Sequence, residues 1–310
     1  MCIRDRKEAG AKAEKVNVGI VQLVEHEALD AANKGFIDGL ASKGYKEGQN
    51  ITFDKQNAQA DQSNLQNIAH RFVNNKVDLI CAIATPAAQT VANVTSDIPI
   101  VATAVTDYKT AKLVKDDAKP GTNVTGTTDM NPVAEQLDLL LKLVPNAKTI
   151  GTIYCSSEVN SQLQVELLKK AAAAKGVTVK EATVSTVNDI QQAARSLAVD
   201  VQAVYVPTDN VLASAIPTLI SVTEEAKLPV ICAEGGMVRA GGLATLGVDY
   251  YKLGFQTGVM AADILSGKAK PADMAIQAQK EFKPTINLKE AAKIGLTVPE
   301  DLLKGAEVIK

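Results

Sequence analysis

The sequence contains 310 residues, a length that corresponds to about two domains of roughly 150 residues each. Its 33 basic and 35 acidic residues leave a net charge of −2, so charge gives no reason to expect nucleic acid or an anionic membrane as a partner. Hydrophobic residues make up 46% of the chain, yet no apolar run approaches the roughly 18 residues that a membrane-spanning helix needs. The composition predicts a soluble globular protein with sizeable cores.

The first 15 residues are polar and irregular, and we predict that they form a tail outside the folded lobes. They contain neither the apolar segment nor the cleavage site of an export signal. Because the apolar segment is missing, Cys2 does not match a lipid-anchor signal either. The four cysteines are widely spaced and form no CxxC pair. The sequence therefore predicts no disulfide framework, no metal site and no cofactor.

In chain order, short apolar runs alternate with amphipathic stretches from residue 16 onward. The first half predicts strands over 16–24, 51–56, 77–84 and 98–104, separated by helices over 28–43, from Asp61 and from Pro86. The second half predicts strands near 149–154, 177–182, 201–206 and 229–233, with helices over 133–143, 158–175, 189–197 and 211–226. Such alternation with near-continuous apolar strands is typical of parallel sheets covered on both faces, so the predicted fold class is α/β.

A weak internal repeat indicates two similar lobes, each a parallel sheet flanked by helices. The segment VDLICAIAT at 77–85 leads through a helix to IPIV at 98–101, and DVQAVYVPT at 200–208 leads through a helix to LPVI at 228–231. Each block combines a strand, a loop with threonine, a helix and a second strand introduced by proline. Because ligands bind beyond the carboxyl ends of parallel strands, two such lobes predict one ligand held between facing strand ends.

A search for enzymatic motifs in the sequence is mostly negative. The chain has two histidines, His26 and His70, and it contains no nucleophile elbow, HExxH motif or P-loop. One enzyme class remains as an alternative, because cofactor-independent amino-acid racemases place one cysteine in each of two α/β lobes, and Cys81 and Cys232 lie in matching lobes. Cys81, however, falls in the middle of a predicted strand, without polar neighbours to lower its pKa. We therefore expect a binding protein rather than an enzyme.

Six motifs spread over the chain from about residue 16 carry a family resemblance. They are GIVQLVEHEALD at 19–30, ATPAAQ at 84–89, PGTNVTG at 120–126, YVPTDN at 205–210, EGGMV at 234–238 and LGVDYY at 246–251. Together they resemble the substrate-binding proteins of bacterial ABC importers, in particular the type I subfamily associated with tryptophan and tyrosine uptake. The resemblance implies a type I periplasmic-binding-protein-like fold, with a ligand between two lobes and delivery to an ABC permease. It also implies an extracytoplasmic location, in the periplasm or lipid-anchored at the cell surface.

The resemblance further implies three hinge crossings between the lobes, which we place at 123–127, 243–248 and 275–282. The predicted first lobe then comprises residues 16–124 and 249–275, and the second lobe comprises residues 125–248 and 276–310. We expect a monomer that binds an amino acid and no nucleic acid. An aromatic amino acid as the ligand rests on family association, since the chain has no tryptophan and few aromatic residues.

A zwitterionic amino acid needs hydrogen-bond donors for its carboxylate. Thr85 ends a predicted strand, and the helix that follows offers free backbone N–H groups at Ala87 and Ala88 together with a favourable dipole. These residues and the nearby Gln89 form the candidate carboxylate site. The alternative is that Thr85 only caps the helix.

The ammonium group of the ligand needs acceptors, and the second lobe offers acidic residues at strand ends. Asp209, beside Asn210, and Glu234 are the main candidates, with helix capping as their alternative role. Asp107 and Asp249 are weaker candidates, for which stabilisation of hinge turns is the alternative.

Two further pairs follow strands and should reach the cleft. Glu25 and His26 follow the first strand, and Ser157 and Asn160 follow the strand that ends at Cys155, where N-capping of the next helix is the alternative. The pair Tyr250 and Tyr251 is predicted to belong to the core rather than to the site.

Overall fold

The computed structural model describes residues 15–310, so Cys2 and the predicted tail up to residue 14 lie outside the described residues. The first lobe is built on a six-stranded sheet made of β1 (Val16–Gln22), β2 (Ile51–Asn57), β3 (Leu79–Ile83), β4 (Ile100–Val105), β5 (Val124–Thr128) and β11 (Gln277–Ala278). The strand order is β11-β5-β4-β3-β1-β2, and all of the pairs are parallel.

The second lobe is built on a seven-stranded sheet. Its strands are β6 (Thr149–Cys155), β7 (Thr178–Val184), β8 (Val204–Val206), β9 (Val230–Cys232), β10 (Ala244–Gly247), β12 (Lys283–Asn287) and β13 (Glu307–Ile309). The order is β13-β12-β10-β9-β8-β6-β7, and every pair is parallel except β10 with β12. The predicted α/β class with two lobes is therefore confirmed, with one antiparallel pairing near the end of the chain.

Helices cover both sheets. The first lobe carries α1 (Glu27–Ser42), α2 (Gln62–Asn74), α3 (Thr85–Val94) and α10 (Tyr250–Leu265), and the second carries α4 (Val133–Leu143), α5 (Val159–Ala174), α6 (Ile190–Ala198), α7 (Asn210–Ser214), α8 (Ile216–Glu225), α9 (Gly235–Arg239), α11 (Leu288–Ile294) and α12 (Glu300–Leu303). None of the helices within residues 15–310 has the length and apolar character needed to cross a membrane.

The single helix predicted over 211–226 is wrong, because the chain forms α7 and α8 with a break at Ala215. Pro217 lies in the first turn of α8 and has no N–H to donate to Ala213, so the helix cannot continue through this position. The break keeps α7 short, and its first residues remain at the edge of the cleft.

Helix α10 follows the second-lobe strand β10 in the chain but returns to the first lobe and packs against α1. The two helices approach closely because glycines lie at their contact and leave no room for a side chain. A Cβ atom placed on Gly254, for example, would lie 1.9 Å from the carbonyl oxygen of Ala32. This contact fixes the first turn of α10, which carries Tyr250, at the floor of the cleft.

The chain passes between the sheets through residues 129–132, 248–249 and 279–282. These positions differ from the predicted boundaries at 124/125 and 275/276, since β5 pairs with β4 and β11 pairs with β5 in the first sheet. The predicted hinge at 123–127 is thus largely a strand, and the crossing follows it. This shift matters for the site, because the residue directly after β5 lies at a strand end.

Candidate functional site

The carboxyl ends of the two sheets face each other across a cleft, and a small cavity lies between them. Its volume of about 10 Å³ has room for one water-sized group. The first lobe lines it with His26, Leu29, Ala104, Thr106, Asp129 and Tyr250, and the second lobe lines it with Asn160, Thr208, Asp209, Asn210, Ala213, Glu234 and Met237. Most of these residues follow the carboxyl ends of β1, β4, β5, β6, β8 or β9. This is the edge of a parallel sheet at which α/β folds bind their ligands.

Asp129 directly follows β5 and is 3% exposed. Its Oδ1 accepts a hydrogen bond from the Thr106 hydroxyl at 2.9 Å, and its Oδ2 accepts one from the Tyr250 hydroxyl at 2.6 Å. Burial raises the pKa of the Asp129 carboxyl, although both hydroxyl donors act in the opposite direction. The carboxylate is thus held in a fixed orientation without a cationic partner in its hydrogen-bond set.

Asp209 and Glu234 both line the cavity, and each also caps a helix, which was the alternative role predicted for them. Asp209 accepts the N–H of Leu212 at 2.9 Å at the start of α7, and its other oxygen accepts from the N–H of Cys155 at 2.6 Å. Glu234 accepts the N–H of Met237 at 2.7 Å at the start of α9. Burial raises the pKa of both carboxyls, that of Glu234 to about 7.

A fourth buried carboxylate, Glu158, lies at the start of α5 and contacts Asn160 and Asn210 of the cavity wall. It accepts hydrogen bonds from the backbone N–H groups of Asn210 and Val211 at 3.0 and 3.2 Å, and from the side-chain amides of Asn160 and Asn210 at 2.9 and 2.6 Å. Burial and the nearby Asp209 charge raise the pKa of Glu158 to about 8.

Two buried side-chain atoms of residues that line the cavity lack a hydrogen-bond partner within residues 15–310. They are Nδ1 of His26 in the first lobe and Oδ1 of Asn160 in the second. No lysine or arginine of the described residues lines this cavity. The wall therefore presents acceptors in excess and would favour a small cationic donor.

A larger cavity of about 450 Å³ also lies between the two lobes. Its wall combines apolar side chains from both lobes with polar ones: Leu23, Ala60, Gln62, Leu65, Pro86, Gln89, Thr90, Asn93, Ser157, Glu158 and Val211. The predicted residues Gln89 and Ser157 lie here rather than at the inner cavity. Thr85 directly precedes Pro86, a residue of this wall. The Thr85 side chain is buried, and its hydroxyl has no hydrogen-bond partner within the described residues.

Several predicted site residues lie elsewhere. Glu25 is exposed and lines neither cavity, while Asp107 caps the turn at Thr110 and Asp249 caps α10. Ala87 and Ala88 are fully buried. The prediction that the N–H of Ala88 is free is wrong: α3 begins at Thr85, one residue earlier than predicted, so this N–H donates to Ala84 at 3.0 Å.

The lobes contact each other around the inner cavity. The hydroxyls of Thr106 and Thr208 lie 3.2 Å apart, and Nε2 of His26 lies 3.3 Å from Oδ1 of Asn210. At the rim, Arg239 on α9 forms an ion pair with Glu27 on α1. These contacts between facing strand ends describe a closed cleft.

Sequence reasoning missed Asp129, Thr106, Glu158 and Tyr250. An acid directly after the strand VTGTT was a usable signal for Asp129, since the same rule identified Asp209. Tyr250 belongs to the core of the first lobe, as predicted, and also lines the cavity, whereas Tyr251 is 39% exposed and the core prediction is wrong for it. The two cysteines of the racemase alternative, Cys81 and Cys232, are fully buried in separate cores and line neither cavity.

Comparison with known proteins identifies the family. The sequence model described as ABC transporter substrate binding protein matches residues 17–310. The tyrosine-binding protein of Clostridioides difficile (strain R20291) is 46% identical over 283 residues, which span 91% of this chain and 81% of that protein.

Two solved structures bear on the conformation. An ABC domain from Streptococcus pneumoniae in complex with L-Trp is 42% identical, with 96% of this chain and 100% of that one covered and a TM-score of 0.92. A ligand-free, open substrate binding protein from Clostridium difficile is 44% identical, and the match covers 95% of this chain and 99% of that one, with a TM-score of 0.72. At nearly equal identity, the lobes of this chain are thus arranged as in the L-Trp complex. With a family match across almost all of the described residues, the chain belongs to the substrate-binding proteins of ABC transporters.

Proposed function

We propose that this protein captures an aromatic amino acid between its two lobes and delivers it to the permease of an ABC importer. The family consists of extracytoplasmic or surface-anchored receptors, so the ligand would be captured outside the cytoplasm. The observation that carries the proposal is the inner cavity, whose wall includes three buried carboxyls and two unpartnered side-chain atoms but no lysine or arginine of the described residues. A primary ammonium group supplies three N–H donors and a positive charge at the size of one water molecule.

Electrostatics support an ammonium group over a neutral donor at this position. Three buried carboxyls, those of Asp129, Asp209 and Glu234, surround the cavity, and burial raises the pKa of each. A cation within hydrogen-bond distance stabilises their ionised forms and recovers part of the free energy that burial costs. Charge-assisted hydrogen bonds of this kind contribute about 1.5–3 kcal/mol each.

The remainder of the amino acid is assigned to the larger cavity. The first turn of α3 offers the N–H of Ala87 and the unpartnered hydroxyl of Thr85 to a carboxylate. The apolar side chains of Leu23, Leu65 and Val211 offer a surface for a ring. The volume of about 450 Å³ lies in the range of about 300–1,000 Å³ that small-molecule sites occupy. An aromatic ligand is further supported by the tyrosine-binding relative and the L-Trp complex.

The proposed partners follow from closure. A ligand that contacts both lobes stabilises the closed state, which presents one composite surface of the two lobes to the permease. We propose that the protein acts as a monomer and that nucleic acid is not a partner, in keeping with its net charge of −2.

A thermal-shift screen against the twenty amino acids tests the proposal. A ligand that binds the folded state stabilises it by about 2.7 kcal/mol at a concentration of 100 times its Kd. We expect L-tyrosine or L-tryptophan to raise Tm, and we expect indole-3-propionate and 3-(4-hydroxyphenyl)propionate, which lack the ammonium group, to leave Tm unchanged. A shift with these acids equal to that with the amino acids would contradict the assigned ammonium site. No shift with any amino acid would contradict the proposed ligand class.

A further inference from the structure

The orientation of one side-chain amide, that of Asn210, is fixed by the groups around it. Oε1 of Glu158 accepts the backbone N–H groups of Asn210 and Val211, and Oε2 accepts the backbone N–H of Asn210 at 3.2 Å and the NH2 group of Asn160 at 2.9 Å, so both oxygens act as acceptors. The side chain of Asn210 lies 2.6 Å from Oε2 of Glu158, a distance that requires its NH2 group rather than its oxygen at this contact. Oδ1 of Asn210 is therefore directed to the other side, where it lies 3.3 Å from Nε2 of His26 across the cleft.

This orientation determines the tautomer of His26. An amide oxygen can only accept, so Nε2 of His26 must carry the hydrogen of this contact. Burial lowers the pKa of His26, which favours the neutral ring at physiological pH. In a neutral imidazole with its hydrogen on Nε2, Nδ1 carries a free lone pair.

His26 is one of the residues that line the inner cavity. Nδ1 of His26 is buried and has no partner within residues 15–310, and the same holds for Oδ1 of Asn160 on the opposite lobe. The orientation of Asn160 is fixed as well, because its NH2 group donates to the carbonyl of Thr208 at 2.8 Å and to Glu158 at 2.9 Å. One acceptor from each lobe thus remains for a ligand.

We propose that Glu158 and Asn210 are positioning residues that hold His26 as its Nε2–H tautomer, so that Nδ1 of His26 accepts a hydrogen bond from the α-ammonium group of the bound amino acid. The inference rests on the proposed function and deepens it. The ammonium group would then join Nδ1 of His26 in the first lobe to Oδ1 of Asn160 in the second and so stabilise the closed cleft.

The chain is well suited to a direct test, because His26 and His70 are its two histidines and His70 is exposed. Nitrogen-15 NMR of the full chain, with His70→Gln to assign the signals, reads the tautomer of His26 in the folded protein. We expect a bare Nδ1 and a protonated Nε2 in the wild type. We expect the Asn210→Leu variant, which keeps the shape of the side chain but loses its oxygen, to show a mixture of tautomers. A proton on Nδ1 in the wild type would overturn the inference.

Calorimetry with L-tryptophan and L-tyrosine completes the test. In His26→Asn the amide oxygen can take the position of Nδ1, whereas in His26→Gln the amide lies near the position of Nε2. We expect His26→Asn to bind within about threefold of wild type, and we expect His26→Gln and Asn210→Leu to bind at least tenfold more weakly. The matched control His70→Gln should bind as wild type does.

The outcomes separate the two proposals. If wild type binds L-tryptophan or L-tyrosine but His26→Gln binds equally well, the role of His26 is refuted and the proposed function stands. If wild type binds neither amino acid, the proposed function fails and the inference fails with it. The NMR result on the wild type does not depend on the folding of any variant of His26.

Discussion

Replacement of Asp129 by asparagine removes the negative charge at the inner cavity with little change in shape. No cation contributes to the hydrogen bonds of this carboxylate, and burial raises its pKa. Keeping it ionised therefore lowers the stability of the unliganded protein. We therefore expect Asp129→Asn to change the free energy of unfolding of the ligand-free protein by less than about 1 kcal/mol. Binding should respond far more strongly, since a charge-assisted hydrogen bond to an ammonium contributes about 1.5–3 kcal/mol.

That loss corresponds to a decrease in affinity of about 10- to 150-fold, because about 1.4 kcal/mol is a factor of ten. Isothermal titration calorimetry with L-tryptophan and L-tyrosine measures it, and urea unfolding measures the stability. Asp107→Asn is the matched control, because Asp107 lies on a nearby loop of the same lobe but outside the cavity. This variant should bind the amino acid with the affinity of the wild type. A change of less than threefold for Asp129→Asn would refute the assignment of the ammonium site.

Burial raises the pKa of Glu234 to about 7, so the free protein retains at this carboxyl a proton that a bound ammonium would release. Affinity should accordingly rise from pH 6 to pH 8, and calorimetry in buffers of different ionisation enthalpy should detect proton release; a flat profile would contradict this. Cys81→Ser and Cys232→Ser should each lower stability by about 1–3 kcal/mol and leave ligand affinity within twofold, whereas a racemase would require both thiols. Gly254→Ala should lower the free energy of unfolding by about 1–3 kcal/mol, because the new Cβ would meet the Ala32 carbonyl; unchanged urea unfolding would show that α1 and α10 can separate without cost.

The fold could be predicted from the sequence because parallel strands are buried on both faces and read as apolar runs. VDLICAIA at 77–84 and VQAVYV at 201–206 mark β3 and β8 in this way. The lobe boundaries were less predictable. The segment VTGTT, which is β5, has few large apolar residues, and it was assigned to a hinge although it pairs with β4.

For the site, the rule that ligands bind at the carboxyl ends of parallel strands was sufficient to select five residues of the inner cavity: His26, Asn160, Asp209, Asn210 and Glu234. It cannot decide which of two neighbours turns inward. Ala104 adopts a left-handed conformation with φ +55° at an irregularity in the register of β4 with β5, and Thr106 rather than Asp107 faces the cavity beyond it. Such a local break in the alternation of side chains has no signature in composition or periodicity.

Tyr250 shows a second limit, which concerns contacts between elements distant in sequence. A tyrosine at the start of an apolar helix is compatible with a core position and with a site position. Its role depends on the hydrogen bond to Asp129, 121 residues away, and on the close packing of α10 against α1. Neither contact could be derived before the topology was known.

A crystal structure of the protein with L-tryptophan or L-tyrosine bound tests the central claim most directly. The account predicts the α-ammonium nitrogen in the inner cavity, within hydrogen-bond distance of the Asp129 carboxylate and of Nδ1 of His26, with the aromatic ring in the larger cavity beside Leu23, Leu65 and Val211. An ammonium group placed outside the inner cavity, or an amino acid bound with its carboxylate beside Asp129, would contradict it.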